Sequence, residues 1–336
     1  MGAMGAALQK QRLEEAANLV ERAAASGDVR WAVLDVRQGK LNFARAFGAA
    51  RENTVFLLAS ISKPMTAAGV MLLADRGKLA LSDAVRKFIP EFAGGDRDLI
   101  TIRHLLTHTS GLPDMLPENE ALRRRHAPLS DFVSATCKTP LLFRPGAKVS
   151  YQSMGLLLAA EIAQRITRTP FRDFLHQEIF LPLGMKETSL GLGGRRIEDT
   201  AQCQVENKED WHWNSPYWRD LGAPWGGVHS TATDVSKFLD AFLRADGRVM
   251  KRETAMAMIT NQTEGMNEAF GLGWMMGPTI FGRPFRPRAF GHYGATGTVA
   301  WADPETAMRC VLLTTKPADQ SRAALLGPVS DLVAER

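Results

Sequence analysis

Strand-like runs stand only near the two ends of this chain, and that placement restricts its fold more than any other feature. Arg30 to Val36 and Leu41 to Phe47 read as two strands of a hairpin joined at Arg37-Gln38-Gly39-Lys40. Strand signals then lapse until Gly271 to Met276, Ala289 to His292, Thr298 to Ala302 and Met308 to Thr314. From Leu79 to about Tyr217, prolines, short amphipathic runs and capping residues predict helices and loops. Helical spacing of Leu8, Arg12, Leu13, Ala16, Leu19, Val20 and Ala23 predicts a helix closed by Ser26-Gly27-Asp28. Ser62 to Arg76, stopped at Gly77, and Ala318 to Glu335 predict two more. The pattern implies an α+β protein whose antiparallel sheet draws strands from both termini and is flanked by helices. A mostly helical domain at 105–223 is expected to be inserted into a discontinuous α/β domain at 1–104 and 224–336.

A chain of 336 residues can bury a large core without covalent staples. Its three cysteines, Cys137, Cys203 and Cys310, are too few and too far apart for a disulfide framework or a zinc ribbon, and a reducing compartment fits them. Lysine and arginine total 41 against 36 acids, and the only basic cluster is Arg123-Arg124-Arg125-His126, read as a solvated helix face. No nucleic-acid partner is therefore expected. No apolar stretch reaches the roughly 18 residues of a membrane span, and the opening residues lack the apolar run of a signal peptide. A cytoplasmic address and no membrane partner are the expectations. His104 and His108 have the spacing of a zinc pair, but Leu105 stands where a zincin carries glutamate, so neither metal nor cofactor is expected.

Three short motifs carry the chemistry. Ser60-Ile61-Ser62-Lys63 places a serine and a lysine three residues apart where a loop enters a helix, so Lys63 can reach the Ser60 hydroxyl. The helix N-terminus favours the alkoxide that forms during attack. Tyr151-Gln152-Ser153 precedes an apolar helix, and a phenol beside a lysine ammonium would have its pKa lowered and could serve as a base. Gly291-His292-Tyr293-Gly294-Ala295-Thr296-Gly297 follows a late strand, with glycines that let backbone approach a ligand.

In this order the three motifs resemble those of the serine β-lactamase and penicillin-binding-protein superfamily, with S-x-x-K, Y-x-N/S and K-T-G or H-x-G. The resemblance is nearest to class C β-lactamases, family VIII carboxylesterases and D-aminopeptidase-like hydrolases, and runs from about Arg30 to the C-terminus. Leu105-Leu106-Thr107-His108-Thr109-Ser110-Gly111-Leu112, Ile179 to Met185, and Gly226-Gly227 through Asp234 agree with further motifs of that group. The resemblance implies a β-lactamase/transpeptidase-like fold and an acyl-enzyme on Ser60, with Lys63 and Tyr151 sharing proton transfer. It also implies an oxyanion hole from the backbone N–H groups of Ser60 and Ala295. Ser153, His292, Tyr293, Gly294 and Trp225 are the expected substrate-binding residues. Trp211, Trp213, Tyr217, Trp218 and Trp225 crowd one stretch and suggest either an apolar wall over the site or plain core packing.

Two residues depart from the β-lactamase pattern. Ser153 stands for asparagine, and His292 for the lysine that helps bind a β-lactam carboxylate. A neutral imidazole is the weaker anion anchor, so nitrocefin is expected to be a poorer substrate than p-nitrophenyl butyrate. Any other cation for that carboxylate would come from the Arg283 to Arg288 segment. The expected activity is carboxylester hydrolysis on short or medium acyl chains, with a small ester or amide as the only partner. The alternatives are a β-lactamase, a D-stereospecific peptidase, and a catalytically silent binding protein of the same fold.

Overall fold

A computed structural model describes residues 3–206, 209–277 and 285–335. Its helices and strands are, in chain order, α1 (Ala3–Ala25), β1 (Trp31–Gln38), β2 (Leu41–Gly48), β3 (Phe56–Leu57), α2 (Ser62–Asp75), α3 (Ile102–Leu106), α4 (Asn119–Arg124), α5 (Leu129–Lys138), α6 (Met154–Thr167) and α7 (Phe171–Leu175). There follow β4 (Ser189–Leu190), α8 (Pro216–Leu221), β5 (Val228–Ser230), α9 (Ala232–Arg244), α10 (Arg252–Met258), β6 (Met275–Met276), β7 (Phe290–Gly294), β8 (Thr298–Asp303), β9 (Met308–Thr314), α11 (Ala318–Ser321) and α12 (Gly327–Ala334).

The main sheet has the order β2-β1-β9-β8-β7-β6, with every neighbouring pair antiparallel. Pairing of β1 with β9, from Ala32↔Thr314 to Arg37↔Arg309, joins the two ends of the chain as the placement of strand signals predicts. The central strands are apolar on both faces because both are covered. Ala32, Leu34, Trp301, Cys310 and Leu312 pack outward with Leu13 and Val20 of α1 and Val329 of α12. Val33, Ala300, Val311 and Leu313 face the opposite way, into the core that holds α2, α6 and α9. α6 is the hub of the helical part, packing against α2, α3, α5 and α7. Among the described residues no helix is long and apolar enough to cross a membrane.

The structure departs from expectation in three places. The strand expected over Gly271 to Met276 shrinks to Met275–Met276. Gly273 sits at φ +82° and donates its N–H to Leu106, and a Cβ there would lie 2.4 Å from that of Ala67, so the segment is a loop packed on α2. The C-terminal helix is continuous but passes through a π turn at Arg322–Leu326, where Gly327 N–H bonds to the Arg322 carbonyl. Pro328 has no N–H to keep the α register. A second sheet, β3-β5-β4, is absent from the sequence reading because strands of two or three residues carry no period.

Candidate active site

Ser60 lies in a single 3-10 turn, Ala59–Ile61, that runs directly into α2. Ala59 is held at φ +48°, a left-handed conformation that costs a non-glycine residue about 1–3 kcal/mol. Lys63 is 1% exposed, and its Nζ donates to Ser60 Oγ at 3.1 Å and to the Trp225 carbonyl at 3.1 Å. Burial drives the Lys63 pKa down from 10.5 to about 7, against the opposing pull of Asp114. A lysine that is half neutral at pH 7 can take a proton from Ser60.

Tyr151 reaches this pair on a loop held by one of the predicted motifs. His108, at φ +60° and fully buried, accepts the Gln152 N–H on Nδ1 at 3.1 Å, while its carbonyl accepts Ser150 N–H at 2.8 Å. Ser110 Oγ donates to Gln152 Oε1 at 2.5 Å. Gly111, at φ +83°, has no room for a Cβ, which would lie 2.2 Å from the Phe143 carbonyl. The segment from Leu105 to Leu112 thus clamps the loop that carries Tyr151. His104 Nδ1 accepts Thr101 N–H in the cap of α3.

The Tyr151 phenol contacts Ser60, and Lys63 Nζ lies over its ring 4.7 Å from the centroid. Its pKa is not lowered as expected. Burial raises it well above the ordinary phenol value, and the contact with Ser60 offsets only part of that rise. Asp114 and Tyr293 push in the same direction as burial. Ser153 donates to Asp114 Oδ1 at 2.6 Å, so a carboxylate from outside the predicted set enters the site.

The opposite wall is the turn between β7 and β8. Thr296 and Thr298 hydroxyls donate to the Leu57 and Leu58 carbonyls at 2.7 and 2.9 Å, fixing the turn against the strand that leads to Ser60. Ala295 and Ser60 both line the cleft there. Gly294 is a close-approach residue and not a cleft residue, since a Cβ would stand 2.2 Å from the Leu58 carbonyl. Tyr293 lines the cleft and accepts a hydrogen bond from Arg322 at 3.1 Å.

His292 is also placed differently from expectation. It is 1% exposed, lies behind Tyr151 with ring centroids 5.8 Å apart, and does not line the cleft. Its Nδ1–H donates to the Tyr293 carbonyl at 2.7 Å, and burial with nearby Lys63 lowers its pKa to about 3. In this position the imidazole is neutral and covered. β6 lies beyond β7 but pairs only with Phe290 and Gly291, leaving His292–Gly294 without a strand partner on that side among the described residues.

The cleft has a volume of about 220 Å³. Ser60, Tyr151, Ser153, Tyr293, Ala295, Trp213, Trp218 and Trp225 line it, as do Asp114, Met115 and Arg123, which the motifs did not single out as site residues. Asp114 follows Gly111-Leu112-Pro113 and had that proximity as its only signal. Trp211 and Tyr217 lie off the cleft, Trp211 near Arg124 and Tyr217 stacked on His126. Of the alternative cations, Arg283 falls outside the described residues, Arg286 is engaged by Glu305 and Asp303, and Arg288 is exposed away from the cleft.

The family model described as Beta-lactamase matches residues 16–334. A penicillin-binding protein of Bacillus subtilis (strain 168) is 31% identical over 270 residues, 73% of this chain and 59% of its own. Esterase EstB of Burkholderia gladioli is 34% identical over 174 residues, 45% of this chain and 44% of its own. These matches thus span about half the length of both relatives. The solved structure of EstCE1, a hydrolase with promiscuous acyltransferase activity, superposes with a TM-score of 0.81 at 19% identity, covering 99% of this chain and 100% of that one. At that identity the likeness concerns the fold.

Proposed function

The chain belongs to the Beta-lactamase family, and from that membership we propose that it is a serine hydrolase acting through an acyl-enzyme, with carboxylic esters of short or medium chain as substrates. The observation that carries this reading is the 3.1 Å contact between Ser60 Oγ and a buried Lys63 whose pKa is about 7. Ser60 attacks the carbonyl carbon while Lys63 Nζ takes the hydroxyl proton. The oxyanion forms against the backbone N–H groups of Ser60 and Ala295, each such donor contributing about 3 kcal/mol. As the tetrahedral species collapses, the Tyr151 phenol gives its proton to the departing oxygen or nitrogen and is reprotonated from Lys63. Water then attacks the acyl carbonyl while the neutral Lys63 Nζ takes its proton and returns it to the departing Ser60 Oγ, releasing the acid. Trp213, Trp218 and Trp225 favour apolar acyl groups over a peptide backbone.

The test is p-nitrophenyl butyrate hydrolysis by wild type, Ser60→Ala and Ser62→Ala, together with labelling by a fluorescent acyl-phosphonate. Ser60→Ala should lose both turnover and labelling. Ser62 Oγ accepts the Val228 N–H at 3.0 Å in the core, so Ser62→Ala should lower stability by about 1–3 kcal/mol while keeping turnover. Equal activity in wild type and Ser60→Ala would overturn the reading, and an unlabelled wild type would favour a silent binding protein. Nitrocefin and D-amino-acid amides in the same assay separate esterase from β-lactamase and peptidase.

A further inference from the structure

The basic cluster on α4 and the turn after it does not behave as one solvated face. Arg124 pairs with Glu120 at 2.5 Å and Arg125 with Asp131 at 2.7 Å, while His126 lies 3.3 Å from Asp210. Arg123 alone turns inward. It is 8% exposed, its guanidinium lies over the Trp218 ring 3.6 Å from the centroid, and it lines the same cleft as Ser60. Its Nε is wholly buried without a partner, and its guanidinium makes no hydrogen bond or ion pair with any described residue.

Stacking on an indole engages the face of a guanidinium but leaves its in-plane donors unused. Five N–H groups in a rigid fork suit a planar carboxylate, and buried donors without acceptors are rare in native proteins. Burial lowers the Arg123 pKa only to about 10, so it stays cationic at working pH. The cleft's own carboxylate, Asp114, is engaged by Ser153 and does not pair with Arg123. Lys63 is committed to Ser60 and the Trp225 carbonyl, and His292 is covered.

We propose that Arg123 is the anion anchor of the cleft and that the substrate is an ester or amide bearing a carboxylate. The anchor stands on α4, a helix that no catalytic motif marks. This rests on the acyl-enzyme reading for its kinetic test but not for its binding test.

The kinetic test compares two matched pairs. Mono-p-nitrophenyl adipate against p-nitrophenyl hexanoate places the carboxylate on the acyl side. 4-Carboxyphenyl butyrate against phenyl butyrate places it on the leaving group. Wild type should prefer the anionic member of at least one pair by about tenfold in kcat/KM, mainly through KM, and less at high salt. The ratio should fall to near one in Arg123→Gln and recover in part in Arg123→Lys. No preference in wild type, or a preference that survives in folded Arg123→Gln, would overturn the anchor. If no ester is turned over, the acyl-enzyme reading fails separately. Tryptophan emission then tests the anchor, since monomethyl adipate should perturb it in wild type at about tenfold lower concentration than methyl hexanoate, and the two should match in Arg123→Gln. An equal response of wild type to both esters would overturn it. An unfolded Arg123→Gln leaves the wild-type comparisons in force.

Discussion

At Lys63 and Tyr151 the same burial acts in opposite directions, because it disfavours charge on each. It makes the lysine a usable base near pH 7 and keeps the tyrosine protonated. The sign for activity follows. Below a Lys63 pKa of about 7 the amine is protonated and cannot accept the Ser60 proton. kcat/KM should therefore rise about tenfold per pH unit on the acid side and level off above pH 7. Tyr151, whose pKa lies well above the usual value, should impose no fall before strongly alkaline pH. If Tyr151 instead supplied the base, the rising limb would move to alkaline pH. As an acid it matters most for poor leaving groups, so Tyr151→Phe should lose about 100-fold or more on ethyl butyrate and much less on p-nitrophenyl butyrate. A pH-rate profile and the two-substrate comparison check both points. The pairing of Ser60 with Lys63 was legible because it is local, at i and i+3. The direction of the Tyr151 shift was not, because it depends on what covers the ring.

Among the secondary-structure elements, α9 shows how a motif without chemistry serves the site. Thr231 caps the helix by accepting Asp234 N–H at 3.2 Å, and Asp234 accepts Glu187 N–H at 2.8 Å and Lys237 Nζ at 2.7 Å. Thr188 and Ser230 hydroxyls bond at 2.7 Å. The segment from Gly226 to Asp234 thereby ties β4 and β5 to a helix that packs on β1, β8 and β9. Asp234→Ala leaves the Glu187 N–H unpaired and should cost about 2–3 kcal/mol in urea unfolding, with Asp234→Asn recovering part. An unchanged midpoint would show that water replaces the carboxylate there. Sequence resemblance marked this stretch, but only its contacts show that its work is structural.

Across the whole molecule, the sheet separates stability from chemistry. Leu13 and Val20 on α1 cover the face opposite the one that packs toward α2. Leu13→Ala should therefore lower stability by about 2–4 kcal/mol while kcat/KM for p-nitrophenyl butyrate stays within about twofold. A large loss of activity in the folded variant would mean that the two faces are coupled through the sheet.

By itself the sequence determined the sheet drawn from both termini, the helical middle, and the order of Ser60, Lys63 and Tyr151. Periodicity and i, i+3 spacing are local properties that survive without a partner surface. Tertiary structure alone decided that His292 is covered, that Gly294 is a close-approach residue, and that Arg123 turns inward while its neighbours pair at the surface. Exposure and the absence of a partner depend on segments distant in the chain: Tyr151 stands in front of His292, Leu58 lies against Gly294, and Trp218 lies under Arg123.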